Sequence, residues 1–235
     1  MIVSIHQPSY WPWLGLLDKI AKSDLFVLLD NVQLNRDSYQ RRNIFLVNGH
    51  SKYLTIPIDY HLSVKINEAK IKDDQFTKKH YETLSDWYLK APFYEDVSKF
   101  ILPLYQRQYG TLIEILCETM LVAFDIFGIQ AKIVRASDLK ATGAKSSLVF
   151  NICKEVHADA YLSGEGAKEY FEDGDYEAFK KAGIEMMFQK FNHPVYPQFN
   201  AGEFIAGLGC LDIFFNCGIQ KSNQIFVGNI ERSNV

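Results

Sequence analysis

The sequence lacks the features that mark several large classes of protein. It holds four cysteines in 235 residues, and no two of them have the C-x-x-C spacing typical of zinc or redox sites. We therefore expect four reduced, buried thiols. The first residues have neither the positive region nor the apolar region of a secretory signal, and no apolar run approaches the roughly 20 residues of a membrane span. A cytoplasmic protein without a membrane span is predicted.

Positive charge and familiar catalytic motifs are also scarce. The formal net charge is -3, so there is no global basic field of the kind that binds nucleic acid. The glycine-rich dinucleotide fingerprint, the P-loop, the G-x-S-x-G elbow and the H-E-x-x-H metal pair are absent, and the six histidines show no ligand spacing, so no metal site is predicted. The composition, 48% hydrophobic and 23% charged, is that of a globular chain with one sizeable core.

The order of apolar patterns predicts an α/β protein. Strand, loop, helix and strand follow one another over residues 2–30, which is typical of a βαβ unit with parallel pairing. Helical periodicity dominates residues 75–127, and strands alternate with helices again over 129–188. We expect a mainly parallel sheet flanked by helices, in a single domain over residues 1–235 with an inserted helical lobe at about 75–127.

Shorter patterns complete this prediction. Residues 31–48 form a polar segment rich in Arg and Asn, and the patterns of 53–58 and 66–71 favour strands. A largely apolar helix is expected over 204–215, and the tail after residue 227 is polar enough to fray.

Polar side chains gather at the predicted carboxyl ends of the first two strands. His6 and Gln7, fixed by Pro8, follow the first strand, and Asp30 closes the second. Ligands of parallel sheets bind at such ends. A neutral imidazole, with an ordinary pKa of about 6.5, can donate to a phosphate or act as a general base, although His6 is equally well explained as a structural residue. Asp30, followed by the arginines of residues 36–42, can orient a hydroxyl or amine, or simply belong to a solvated ion-pair loop.

Two aromatic and glycine-containing segments are further candidates. Tyr10 and Trp13, with Trp11 between them, can form a stacking platform for a base or sugar, or can be plain core packing. Gly15 permits close approach of an anion to the start of a helix.

Other turns offer small or polar groups. Ser163 and Gly164 follow a buried strand and can cradle a phosphate, and residues 145–147 (Lys-Ser-Ser) are a weaker candidate of the same kind because a serine there also serves as a helix cap. The Pro-containing segment 193–198 presents a His, a Tyr and a Gln on a stiff loop, which favours binding. Asp212 and Asn216, one helical turn apart in an apolar run, indicate a structural network rather than catalysis.

Several ordered blocks of this sequence resemble the WbqC-like family. They are residues 5–15 (IHQPSYWPWLG), 28–33 (LLDNVQ), 42–44 (RNI), 55–58 (TIPI), 161–164 (YLSG), 196–198 (YPQ) and 212–218 (DIFFNCG). Two departures are visible: Arg41 stands where the family pattern suggests Asn, and residues 207–210 replace a more usual Asn-Leu-Ser run.

The resemblance implies a role in making or modifying nucleotide-linked amino sugars for O-antigen and related surface polysaccharides. It places twelve residues on the family's motif positions: His6, Gln7, Tyr10, Trp13, Asp30, Gln33, Arg42, Asn43, Ser163, Gly164, Tyr196 and Gln198. We expect His6 and Asp30 to be catalytic, and the other ten, together with His193 of the stiff loop, to bind the substrate.

Three functions fit these residues. The first is a transferase that puts an acyl or aminoacyl group from an acyl donor on the amine of a nucleotide-linked sugar, with His6 as base, Asp30 orienting it and Arg42 holding the diphosphate. The second is an adenylating or nucleotidyl-transferring enzyme that uses ATP with magnesium, although the second histidine of such enzymes is replaced by aromatic residues here. The third is a non-catalytic module that binds a nucleotide sugar. A homodimer is compatible with each.

Overall fold

A five-stranded parallel sheet lies at the centre of the computed structural model, which describes the backbone of residues 1–233 and the side chains of 1–169 and 171–230. A separate two-stranded hairpin packs beside it. The strands are β1 (Ile2–His6), β2 (Leu25–Leu28), β3 (Arg42–Val47), β4 (His50–Thr55), β5 (Lys132–Arg135), β6 (Ala160–Ser163) and β7 (Glu185–Phe188).

Eight α-helices in the described part of the chain flank these strands. They are α1 (Leu14–Ala21), α2 (Phe76–Tyr88), α3 (Tyr94–Tyr105), α4 (Leu112–Phe127), α5 (Lys145–Glu155), α6 (Asp173–Lys181), α7 (Leu211–Cys217) and α8 (Ile219–Ser233). The predicted α/β class with a mainly parallel sheet flanked by helices is therefore confirmed. The segment predicted as a helical lobe contains α2, α3 and α4.

The strand order places β1 in the middle of the sheet. The sheet runs β5-β2-β1-β6-β7, and all four pairings are parallel. The chain moves outward on one side of β1 through β2 and β5, and then returns to the other side through β6 and β7. The gap between the carboxyl ends of β1 and β6 is thus the topological switch point, where open α/β sheets bind their ligands.

Alternate residues of the strands face two different cores. In β2, Phe26 and Leu28 pack into a large core with α1, α4, α7 and α8, whereas Leu25 and Val27 face a smaller core with α5 and α6. In β1, Val3 and Ile5 face the smaller core. Because side chains of a strand alternate, the next two residues, His6 and Gln7, leave β1 toward opposite faces of the sheet.

The hairpin was missed by the sequence patterns. Residues 42–47 and 50–55 pair antiparallel around a two-residue turn, Asn48-Gly49, in which both residues have positive φ. Asn-Gly is the preferred sequence of such turns, and it is the signal that predicts a hairpin here. Its outer strand, β4, is mostly exposed, so the expected alternation of apolar residues is weak.

Three other predicted elements differ from the structure. Residues 66–71 form isolated bridges to Ile58 and Thr111 and not a strand. The helix expected over 204–215 begins only at Leu211, because residues 201–209 are irregular. The expected frayed tail is part of α8 as far as Ser233, and its last two residues lie outside the described residues.

Two further sequence expectations concern cysteines and membranes. All four cysteines are free, and three are buried while Cys117 is half-buried. No helix among the described residues combines the length and apolarity needed to cross a membrane.

Candidate functional site

Two cavities open beside the carboxyl end of β1, one on each face of the sheet. Cavity A, of about 720 Å³, lies on the α5 side, and cavity B, of about 260 Å³, lies on the α1 side. Tyr161 of β6 and Ala167 line both, so the cavities are neighbours across the switch point. Cavity A is lined by residues 7, 29, 31–33, 141–146, 148, 149, 161, 167 and 171; cavity B is lined by residues 5, 6, 13, 15, 16, 19, 161, 163, 164, 166, 167 and 189.

His6 and Gln7 deliver one polar group to each cavity. His6 lines cavity B and Gln7 lines cavity A, as their alternation along β1 requires. The Gln7 amide oxygen accepts a hydrogen bond from the amide of Gln40, which fixes the side chain and leaves the Gln7 amide nitrogen as a donor.

The hydrogen bond of His6 defines its tautomer. Nδ1 lies 2.7 Å from the backbone carbonyl of Gln7, and because a carbonyl only accepts, Nδ1 carries the proton. Nε2 is therefore a free acceptor. The ring keeps accessible surface inside the crevice, but many protein atoms lie around it. The resulting desolvation is the larger cause, and the positive charge of Lys19 the smaller cause, that lowers the pKa of His6 to about 3. His6 is therefore a neutral imidazole at neutral pH, with a much weaker basicity than its ordinary pKa implied.

Asp30 is bound to a different part of the chain than the sequence suggested. Its fully buried carboxylate accepts from Arg135 Nε at 2.7 Å, from the Ser137 backbone N–H at 2.9 Å and from the Ser137 hydroxyl at 2.8 Å. The prediction that it faces the arginines of residues 36–42 is wrong, because its partners are Arg135 and Ser137. Asp30 does not hold the His6 ring either, since Nδ1 of His6 is bound to the Gln7 carbonyl. Asp30 instead fixes the start of the segment 136–144, whose last residues form a wall of cavity A.

Replacing Asp30 with alanine is expected to lower the free energy of unfolding by about 2 to 3 kcal/mol, because a charged, buried hydrogen-bond acceptor is lost. Amide hydrogen exchange of residues 136–144 should accelerate. Exchange measured by mass spectrometry checks this, with the exposed Asp138→Ala on the same segment as a matched control. Unchanged exchange together with a shifted titration of His6 would restore the original assignment of Asp30 as the residue that orients His6.

Tyr10 is a core residue. It has no exposed surface, and its hydroxyl contacts Tyr105 at 2.6 Å and His80 at 3.0 Å, while the Trp11 indole donates to the same Tyr105 hydroxyl. The predicted stacking role of Tyr10 is therefore wrong, because neither face of its ring is open to a ligand. Packing was the alternative left open by the sequence.

Trp13 is the aromatic residue that remains beside the cavities. Its indole is partly exposed, meets Phe191 edge to face and lines cavity B. The ring lies directly on Gly15, where a Cβ atom would fall 2.1 Å from it. Gly15 thus makes room for an indole and not for an anion, and the predicted approach of an anion to the start of α1 is blocked by that ring.

Arg42 and Asn43 belong to the hairpin and line neither cavity. Arg42 pairs with Asp37 at 3.2 Å and covers the ring of Tyr53, which removes it from the predicted diphosphate site. Asn43 is buried and donates to the backbone carbonyls of Tyr10 and Trp11, so it holds the loop after β1 in place.

The remaining substrate-binding predictions divide between the cavities and the core. Gln33 lines cavity A, whereas Ser163 and Gly164 line cavity B. His193 lies among aromatic rings away from both, and burial lowers its pKa. The two family departures line neither cavity. Arg41 donates to the Arg36 carbonyl, and Gly209 bonds to the hairpin through Ile44 and forms a bridge with Trp13 of cavity B.

Tyr196 and Gln198 are structural. Both donate to the carboxylate of Asp212, at 2.9 and 3.1 Å, and the hydroxyl of Tyr88 donates to its other oxygen. Asn216 completes the network, which confirms the interpretation of Asp212 and Asn216 as a structural pair. The segment 193–198 is therefore pinned to α7, and Tyr196 and Gln198 do not reach a cavity.

Two lysines lie at the cavities, and one of them, Lys19, has no signal in the sequence that marks it as a site residue. Lys145 begins α5 with a φ of +51° and lines cavity A together with Ser146, whereas the Ser147 hydroxyl is engaged by the Ala144 backbone. The sequence favours Ser163 and Gly164 over residues 145–147 as a phosphate site. In the structure Lys145 and Ser146 line the larger cavity A, whereas Ser163 and Gly164 line cavity B. Lys19 lies on the predicted α1 helix, but nothing in its local sequence signals that its ammonium is buried.

The strand order and the crevice at the switch point define an open, doubly wound α/β protein. The chain belongs to the WbqC-like protein family, which matches residues 7–224. It is 25% identical over 228 residues to a Mycobacterium tuberculosis (strain ATCC 25618 / H37Rv) protein described as "Uncharacterized protein Rv1507c", and the alignment covers 95% of this chain and 96% of that one. No solved structure matches the chain.

Proposed function

We propose that this protein is a transferase that places an acyl or aminoacyl group on the amine of a nucleotide-linked amino sugar, in the biosynthesis of O-antigen or a related surface polysaccharide. The observation that carries the proposal is that cavity A adjoins cavity B across the switch point, and that the neutral imidazole of His6 lies in cavity B at the end of the central strand. Family membership supports the link to surface polysaccharides through the resemblance described above.

Cavity A has the size and lining that a nucleotide sugar needs. Ligand pockets typically measure about 300 to 1,000 Å³, with apolar walls and a few polar groups. Val32, Leu148 and Phe171 supply apolar wall, while the Lys145 ammonium and the Gln7 amide supply donors. In our proposal Lys145, with the first backbone N–H groups of α5, holds the diphosphate, and Gln7 faces the sugar.

His6 is the proposed base. Nε2 takes a proton from the ammonium of the sugar, and the resulting amine attacks the carbonyl carbon of an activated acyl donor. A C–N bond forms and the bond from the acyl carbon to the donor's leaving group breaks. His6 passes the first proton to that leaving group, and the second proton that the nitrogen loses goes to solvent, which leaves the neutral amide. The low pKa of His6 makes this transfer slow unless binding of the substrates raises it, which the negative charge of a diphosphate favours.

Titration calorimetry with UDP- and dTDP-linked amino sugars, ATP with magnesium, and acyl-CoA tests this proposal. We expect a nucleotide sugar to bind, and Lys145→Met to weaken that binding about tenfold or more, since one charge-assisted contact to phosphate is lost. Lys140→Met, at an exposed lysine of the same segment, is the matched control and should bind normally. Failure of every nucleotide sugar to bind would contradict the proposal.

The strand order supports a second candidate, an ATP-dependent adenylating or nucleotidyl-transferring enzyme. A sheet ordered β5-β2-β1-β6-β7 with a histidine at the end of its central strand has its switch point where doubly wound sheets bind nucleotides. Binding of ATP with magnesium and of no nucleotide sugar would favour it. Tight binding of a nucleotide sugar without turnover with any acyl donor would favour the non-catalytic module instead.

The setting of the proposed reaction follows from the same reasoning. We place it in the cytoplasm, with a small-molecule nucleotide sugar as the partner and without a nucleic acid, consistent with the net charge of -3. We also propose that the protein is a homodimer. Size-exclusion chromatography with light scattering tests this oligomeric state.

A further inference from the structure

Lys19 is a buried cation without a buried anion to match it. Its side chain is 4% exposed, and its ammonium donates to the Ile5 backbone carbonyl at 3.3 Å. Among the side chains that the structure describes, no carboxylate forms an ion pair with it. An ammonium has three donors, so two of them point elsewhere. Burying a charge without a partner is costly, which is why such groups are usually paired or functional.

The nearest acidic residue in the sequence does not supply the missing charge. Asp18 is fully buried, but its carboxylate pairs with Lys22 at 3.0 Å and accepts from the Gln189 amide at 2.6 Å. Both contacts use the same oxygen of Asp18, and neither of its oxygens forms an ion pair with Lys19. Lys19 instead lines cavity B, next to His6.

We propose that cavity B is a second ligand subsite, in which the ammonium of Lys19 binds a small carboxylate directly beside His6. Ser163, which is buried and donates only a long 3.4 Å hydrogen bond to Tyr161, is a further donor of this subsite. Trp13 and Leu16 provide the apolar walls for a short carbon chain.

The charge and size of cavity B favour a carboxylate over a phosphate. Lys19 is the one cation that lines it among the described residues, so a monoanion is neutralised where a dianion keeps an excess negative charge. A volume of about 260 Å³ is below the usual range for drug-sized ligands and suits a molecule of the size of an amino acid or short acid.

An occupied subsite changes the chemistry of His6. The positive charge of Lys19 is one of the two causes that hold the pKa of His6 down, and a bound carboxylate cancels that charge. Among the side chains that the structure describes, no other charged group contributes to this lowering. The same carboxylate keeps Lys19 protonated, although burial alone lowers its pKa to about 8. This inference rests on the proposed function, because a carboxylate in cavity B makes His6 a stronger base for the proposed acyl transfer. Carboxylate binding in cavity B needs neither a nucleotide sugar nor turnover.

The test uses the full chain without any nucleotide. Acetate, butyrate, alanine and inorganic phosphate are titrated while the His6 imidazole is followed by NMR. We expect the three carboxylates to shift the His6 resonances and to raise its pKa, and Lys19→Met to weaken their binding about 10- to 100-fold. Lys168→Met, at an exposed lysine near the cavity mouth, should bind as the native protein does.

The same variants distinguish a loss of carboxylate binding from a loss of folding, and a failure of this proposal from a failure of the proposed function. Lys19→Met removes an unpaired buried charge, so it should unfold at the same temperature or higher, and its His6 pKa should rise without any ligand. Equal carboxylate affinity in Lys19→Met, or tighter binding of phosphate than of carboxylates, overturns the assignment. Because nucleotide-sugar binding is measured separately in cavity A, either proposal can fail alone.

Discussion

Asp212→Ala is expected to lower the free energy of unfolding by about 3 to 5 kcal/mol. The carboxylate has no exposed surface and accepts hydrogen bonds from Tyr88, Tyr196, Gln198 and Asn216. Removing it leaves four donors without this acceptor in the interior, together with a cavity. It also releases the segment 193–198 from α7, since two of these donors lie on that segment.

Urea unfolding followed by circular dichroism measures this loss. Asp212→Asn keeps the shape and one acceptor oxygen, so we expect a smaller loss of about 1 to 3 kcal/mol. The matched control is Asp125→Ala, at an exposed position of α4, which should change stability by less than about 0.5 kcal/mol. A loss below 1 kcal/mol in Asp212→Ala, with the control unchanged, would show that water or rearranged side chains satisfy these donors.

His6→Asn should lower kcat of the proposed acyl transfer by about a hundredfold or more while KM changes little. The reason is that asparagine can keep a hydrogen bond to the backbone but cannot accept the proton from the sugar ammonium. Steady-state kinetics with the nucleotide sugar identified by calorimetry provide the measurement. His157→Asn is the control, because His157 lies at the opposite end of the sheet and its φ of +57° is one that asparagine adopts readily.

The pH dependence distinguishes a base from a structural histidine. Since His6 has a folded-state pKa of about 3, below the ordinary value, the free protein keeps it neutral at every pH above that value. The acid limb of kcat/KM should therefore not report an ordinary imidazole pKa, whereas kcat should report the higher pKa of the complex. Retention of native kcat by His6→Asn would exclude the base role and leave positioning of Gln7 as its function.

The sheet could be predicted because its strands are short apolar runs that end at polar or turn residues. The pattern from β1 to β2 also predicted that His6 and Asp30 lie at the same edge of the sheet, where the carboxyl ends of the strands meet. The partner of Asp30 could not be predicted, because Arg135 is 105 residues away, whereas three arginines, Arg36, Arg41 and Arg42, are much nearer in sequence. Closeness in sequence predicts the contact partner of a side chain poorly where parallel strands bring distant segments of the chain together.

The cavities themselves depend on packing that no local pattern reveals. The alternation of β1 implies that His6 and Gln7 point to opposite faces, yet it does not show that each face holds a cavity. Lys19 lies on an amphipathic helix whose apolar stripe was evident, but its burial results from how α1 packs under β1. The helix α8 was missed because polar residues interrupt its apolar positions.

The central position of β1 also affects how the chain is made. Its first strand partner, β2, is synthesised within about thirty residues, but its other edge waits for β6, which pairs through Ala160, Tyr161 and Leu162. A nascent chain therefore carries an unpaired, apolar strand edge on the ribosome until well over half of the sequence has emerged. Such edges are templates for aggregation. Truncations that end before β6 should accordingly need chaperones to remain in solution, however well their own helices form.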